Sequence, residues 1–443
     1  MASAAEQLAA NLSWSSFKGA TELKQRIWFT LFALLIYRLG TYIPLPGIDP
    51  AALSSLFEQN QGGIVGMFNM FAGGAVGRMA IFALNIMPYI TASIIIQLLT
   101  SAVPHLEQLK KEGGEQGRKQ INQYTRYGTV FLATVQGYGM AVGLERAEGL
   151  VLNPGLFFQI STVTTLVAGT VFLMWLGEQI TARGIGNGIS LIIFAGIVAE
   201  LPSALVSTLE LGRQGAISTP IILGLLVMVV VVIAFVVFVE RAQRRLIVQY
   251  PKRQMGNKMT GGENSHLPLK LNVAGVIPPI FASSLLLLPM TIANFSAGGP
   301  EWLTSITALL GQGQPLYMAV YAGLIVFFCF FYTSIVFNPT DTANNLKQAG
   351  GFIPGIRPGE RTAEYIDRIL TRLTVVGAIY LTIVCLIPEF LINAYSVPFY
   401  FGGTSILIVV SVTMDTVGQI QGHLFAHQYE GLIKKSKLGG RRR

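Results

Sequence analysis

The chain has 443 residues, 52% hydrophobic and only 12% charged, with a mean hydropathy of +0.55. Soluble domains carry about 25% charged residues. Half that density cannot cover a water-facing body of this size, which excludes soluble enzymes, secreted modules and disordered scaffolds. Net charge is +9, and the two cysteines, Cys329 and Cys385, sit inside apolar runs, so neither a disulfide framework nor a cysteine metal site is on offer.

The predicted elements are apolar helices. In chain order they cover 27–43, which tolerates Arg38; 79–104; 129–143; 155–177; 184–206, with Glu200 inside; 221–239; 271–300; 302–340; 373–388; and 390–414. A helix needs about 20 apolar residues to cross a ~30 Å hydrocarbon core, and the alternation of a membrane barrel is absent. The expectation is an all-α polytopic membrane protein with ten transmembrane helices. With an even number of spans and a cytoplasmic amino terminus, 27 of the 31 Lys and Arg fall on one side. Lys and Arg mark cytoplasmic loops in this way, so both termini are expected inside, and no removable signal peptide is visible.

Between the first two spans, residues 62–74 are apolar enough to want membrane depth yet too short to cross. Glycine pairs bracket the run, Gly62-Gly63 and Gly73-Gly74. Such a piece is either an amphipathic helix on the surface or a short re-entrant helix, which is tolerated only against protein or a water-filled cavity. Ten spans also divide as 1–213 and 214–443; five helices per half force opposite orientations, the inverted-repeat geometry.

Searches for chemistry return little. Ion-coupled transport needs ionisable groups at mid-membrane. Here Glu178, Glu240, Glu389 and Asp415 fall at span ends, Glu200 lies toward an outer end, and Arg38 can snorkel. His105, His266, His423 and His427 form no metal spacing, and the 183–188 glycine run lacks the end of a phosphate loop and reads as a tight turn. No ATPase, protease or redox site and no cofactor site is visible, so energy must come from a partner. Two long loops stand out, 240–271 with seven basic residues and 339–373 with five. Their length exceeds what orientation or lipid contact requires and suits docking of a large partner, including one that contains RNA.

Specific motifs then accumulate. Phe68-Asn69-Met70-Phe71 with Gly73-Gly74, the run from Met87-Pro88-Tyr89 to Gln97, Gly184-Ile185-Gly186-Asn187-Gly188, Pro354-Gly355-Ile356-Arg357-Pro358-Gly359 and Phe401-Gly402-Gly403 follow one another along nearly the whole chain. In this the chain resembles the SecY family, central subunits of the bacterial protein-conducting channel. The resemblance implies ten helices in two inverted five-helix halves around an hourglass pore. Its apolar ring falls on Ile86, Ile90, Ile193, Ile280 and Ile408. Its plug falls on about 62–76, including Ile64, Val65, Met67, Phe68, Asn69, Met70, Phe71, Gly73 and Gly74. A sideways opening between the halves implies lateral-gate roles for Thr91 and Gln97. The long loops correspond to the docking surface, with Arg357 foremost and Arg244, Arg245, Lys252 and Arg253 in support.

The resemblance also implies SecE and SecG as membrane subunits, the SecA ATPase and the ribosome as motors, unfolded preproteins as cargo, and the bacterial inner membrane as location. Asn338-Pro339-Thr340-Asp341 departs from the pattern, since a basic residue often follows that proline. The resulting expectation is a passive protein-conducting channel and not an enzyme; the alternatives are a secondary transporter of a small solute and, third, a lipid scramblase or flippase.

Overall fold

The computed structural model describes residues 21–49, 52–53, 69–146, 149–214, 219–250, 253–255, 258–260, 264–295, 314–395 and 403–439. The expected plug residues Ile64, Val65, Met67 and Phe68, and the docking residue Lys252, lie outside them. The described chain is dominated by helices: α1 (Thr21–Gly40), α2 (Met87–Ala102), α3 (Pro104–Glu112), α4 (Gly114–Arg146), α5 (Leu156–Arg183), α6 (Gly188–Arg213) and α7 (Thr219–Arg241). Strands β1 (Gln243–Gln249), β2 (Arg253–Met255), β3 (Lys258–Thr260) and β4 (Asn264–Lys270) follow, then α8 (Ile277–Phe295), α9 (Pro315–Val336), α10 (Pro339–Gln348), α11 (Glu360–Tyr395) and α12 (Gly403–Gly439).

Among the described residues six helices are long and apolar enough to cross a membrane, or seven if the bent pair α2–α3 is one span. The expected span at 129–143 sits inside α4, and that at 27–43 overlaps α1, which ends at Gly40; charged and polar helix ends dilute both. Exposed side chains on α1 and α7, such as Trp28, Phe32, Leu35, Val230 and Phe238, present apolar bands that are stable against lipid and costly against water.

The second span is shorter than its uncharged stretch suggests. Met79 and Asn85 adopt φ of 41° and 48°, a left-handed conformation that no continuous helix of L-residues passes through. The helix therefore starts only at Met87. It ends at Val103, extended at φ −103° and ψ 115° because the ring of Pro104 disfavours the helical conformation in the residue before it. The axis turns there by 101°.

Two compact units emerge: Met1–Leu205 with Thr291–Gly299 and Val412–Arg443, and Val206–Met290 with Pro300–Ser411. In the first, α4 packs on α2 and α5, and α1 on α5. A core of Leu45, Met79, Leu84, Ala133, Met140 and Leu166 binds α4 and α5 to the segments that flank α1 and α2. An aromatic ladder of Tyr37, Phe82, Phe172 and Trp175, with centroid spacings of 6.2, 5.9 and 5.8 Å, ties the irregular 76–86 stretch between α1 and α5. The glycine run before α6 is a turn. Its amides at Ile185, Gly186 and Gly188 donate to Thr30 Oγ1, Gln419 Oε1 and Thr181 Oγ1, and Asn187 Oδ1 accepts the amides of Ile189 and Ser190 at the start of α6.

In the second unit the two long loops are one structure. β1 pairs antiparallel with β4, from Gln243↔Lys270 to Gln249↔Asn264. Gln249 also exchanges both backbone hydrogen bonds with Phe352, each 2.9 Å. Leu246 and Leu269 from the hairpin, with Ile353 and with Ile366, Ile369, Leu370 and Leu373 of α11, form one apolar core. The first turns of α11 thus belong to this module, so the span expected at 373–388 is the continuation of a helix that starts at Glu360.

Candidate functional site

Ile86 is the residue preceding α2, and Ile90 stands one turn further on, so both lie on one helix face. Ile193 sits on α6; these three belong to the first unit. Ile280 opens α8 and Ile408 lies in the first turns of α12, both in the second unit. All five are buried, so none is lipid-facing filler. Each of the five positions is apolar and stiff, because isoleucine is restricted at its first torsion.

The end of the expected plug is described from Asn69 onward. Asn69 Oδ1 accepts from the Gly77 amide at 2.7 Å and closes a turn. Three successive carbonyls are then each met by a side-chain donor. Asn85 Nδ2 donates to Phe71 O at 2.5 Å, Tyr37 Oη to Ala72 O at 3.5 Å, and both Arg38 Nη1 and Arg78 Nη2 to Gly73 O, at 2.6 and 2.8 Å. The Arg78 guanidinium stacks over the Tyr42 ring at 4.2 Å and donates through Nε to Thr41 O. Gly73 and Gly74 have φ of 63° and 79°, which a side chain would strain. A Cβ on Gly74 would meet Glu200 Oε1 and Arg78 Nη2, so these opposite charges face one point. Gly196 of α6 lies against the same segment: a Cβ there would stand 2.7 Å from Phe71 O and 3.1 Å separates Gly196 Cα from the Cβ position of Gly73.

Thr91 is buried, and its hydroxyl donates to Met87 O at 3.1 Å, within its own helix. Gln97 donates to Ser93 Oγ at 3.1 Å. Its buried Oε1 has no partner among the described residues, so it retains an acceptor to offer. On the loop module, Arg244 and Arg245 of β1 are exposed, and Arg253 lies in β2. Arg357 is exposed on the turn before α11 and lines a cleft with Arg361, Arg368, Tyr365 and Glu364. Only Glu364 offsets three guanidiniums there, through a 3.4 Å pair with Arg361, and such a cleft attracts anionic groups. The departure at Thr340 has a local use. Asn338 caps α10, accepting from Thr340 N and Oγ1 at 3.1 and 2.6 Å and donating to Asp341 Oδ2 at 2.8 Å.

Sequence reasoning missed the cluster of Tyr37, Arg38, Arg78, Asn85 and Glu200. Arg38 was expected to snorkel and Glu200 to be solvated, yet Arg38 bonds a backbone carbonyl and Glu200 faces the same turn. The available signal was charge inside apolar spans, which marks function by default. Glu178, expected at a solvated span end, pairs with Arg126 at 2.7 Å.

Helices of membrane-spanning length and a charged loop module define a multi-pass membrane protein. Comparison with known proteins specifies its kind. The family model described as SecY matches residues 80–417. The protein translocase subunit SecY of Escherichia coli (strain K12) is 58% identical over 435 residues, 97% of this chain and 98% of that one. A solved structure described as "The structure of a protein conducting channel" aligns with a TM-score of 0.66 at 18% identity, covering 90% of this chain and 92% of the other. Sec61 in the canine ribosome-channel complex from the endoplasmic reticulum gives 0.63 at 18% identity, covering 90% and 92%. At that identity the two structures show the fold. The chain belongs to the SecY family, protein-conducting channel subunits of the translocase; nothing in the comparisons supports a small-solute transporter.

Proposed function

We propose that the chain is the passive pore of a bacterial inner-membrane translocase, with both termini cytoplasmic and ten spans in inverted halves 1–213 and 214–443. The observation that carries this is the 58% identity to a translocase SecY across 97% of the chain, which takes in spans and basic loops alike. Unfolded preproteins thread a ring of Ile86, Ile90, Ile193, Ile280 and Ile408, and residues 62–76 plug it at rest. The ring bonds to nothing in the cargo, so sequences of many kinds can slide through.

The two halves part near Thr91 and Gln97, and sorting follows from partition alone. Twenty apolar residues gain about 0.3–0.6 kcal/mol each in lipid, while a central Arg or Asp opposes by about 2.5–3.5. SecE and SecG complete the membrane complex. SecA or a ribosome supplies the force and docks on the fused loop module through Arg357, Arg244, Arg245, Lys252 and Arg253. A ribosome-bound relative of the same fold, the canine Sec61 complex, supports that last partner.

Single cysteines replacing Ile193 and Ile408, tested against a preprotein stalled in mid-passage, should both crosslink to it. Crosslinks only from lipid-facing controls on α7, such as Val230→Cys, would refute the route.

A further inference from the structure

The side chains around residues 71–73 have a task that the pore reading does not assign. We infer that Tyr37, Arg38, Arg78 and Asn85 form a polar clasp that holds the carbonyls of Phe71, Ala72 and Gly73 and so sets how readily the channel opens. The inference rests on reading 62–76 as a plug.

The pairing is unusual in kind. The carbonyls of Phe71 and Gly73 are met by side chains from α1 and from the 78–85 stretch, where a strand or a continued helix would use backbone amides; Ala72 O accepts both the Ala75 amide at 3.3 Å and the Tyr37 hydroxyl. Side-chain donors can release a segment without unravelling an element. Two of them are guanidiniums, and charge-assisted bonds are the strong class. Both converge on one oxygen, Gly73 O. Two cations at a single acceptor repel, and Glu200 facing Gly74 beside Arg78 supplies the offsetting charge. The positions are fixed from behind: Arg78 by the Tyr42 ring and Thr41 O, Arg38 by Tyr42 Oη at 3.2 Å, and Tyr37 by stacking on Phe82. The arginines are therefore held ready to receive the segment each time it returns.

The test uses the full chain with its membrane subunits in vesicles. It reads resting ion leak together with amide exchange at residues 70–75, in Arg38→Met/Arg78→Met and in Arg38→Lys/Arg78→Lys. The Met pair should leak about tenfold or more above the unaltered channel, as expected for loss of two charged donors, and exchange should accelerate at 70–75 but not in α4 or α5. The Lys pair keeps a donor for each bond and should recover most of the seal. Unchanged leak and exchange in the Met pair would overturn the clasp. So would exchange accelerating equally in α4 and α5, or a Lys pair as leaky as the Met pair. If the unaltered vesicles fail to import a preprotein, the channel reading itself fails; if they import normally while the Met pair stays tight, only the clasp does.

Discussion

Gly196→Ala isolates the seat of residues 71–73 from the stability of the helix that carries it. Position 196 is inside α6, where replacing glycine by alanine gains about 1 kcal/mol of helix propensity, so the helix itself is not weakened. The new methyl would stand 2.7 Å from Phe71 O, 3.0 Å from Tyr37 Oη and 3.3 Å from Gly73 N. Relief to an ordinary contact moves the segment by several tenths of an ångström, which disturbs bonds that now measure 2.6 and 2.8 Å at Gly73 O. Overpacking of this kind costs about 1–3 kcal/mol, and it is felt only while the segment is seated. The equilibrium between seated and released states should shift by about 5- to 150-fold. In vesicles holding the assembled complex, resting ion flux should rise by that order, while thermal unfolding of the complex stays level or moves up. Flux equal to that of the unaltered channel at an equal melting temperature would refute the close packing of α6 on this segment.

Three further outcomes are expected. Ile86, Ile193 and Ile408 changed together to glycine should make the idle channel leak ions, measured as vesicle conductance; tight closure counts against the ring. Arg357→Glu reverses charge in a cleft with three arginines and one glutamate, and should impair motor-driven import in an ATP-dependent assay while the channel still inserts into membranes normally. Ile366→Ala empties a fully buried position in the loop module; a loss of about 2–5 kcal/mol should show as faster limited proteolysis across both 243–270 and 353–370, because one core holds both. Cleavage confined to 353–370 would mean the loops fold separately.

Much of the fold could be read directly because hydropathy measures what a bilayer demands: α5, α7 and α9 lie where uncharged runs stand, and α6 where the expected run is broken by Glu200. The exceptions have local causes. Met79 carries no composition signal for left-handed backbone and a lone Asn85 only a weak one, so the start of α2 was set eight residues early. The fusion of the two loops depends on Gln249 pairing with Phe352 across about a hundred residues, and no local pattern encodes it. The five isoleucines were singled out only through motif resemblance, since an isoleucine in an apolar run looks the same facing lipid or protein. Arg38, Arg78 and Glu200 were visible as charges but not as neighbours. Their convergence on Gly73 and Gly74 is a product of tertiary packing, and the usual snorkelling explanation hid it. Thr340 looked like a defect in a docking loop; the cap of α10 explains a threonine there in terms of local hydrogen bonding.

The most direct test is import. Purified complex in sealed vesicles, given the partner ATPase, ATP and an unfolded preprotein, should bring the preprotein into a protease-protected state and do nothing without the motor. Motor-independent uptake of a small solute, with the preprotein left fully digestible outside, would contradict the account.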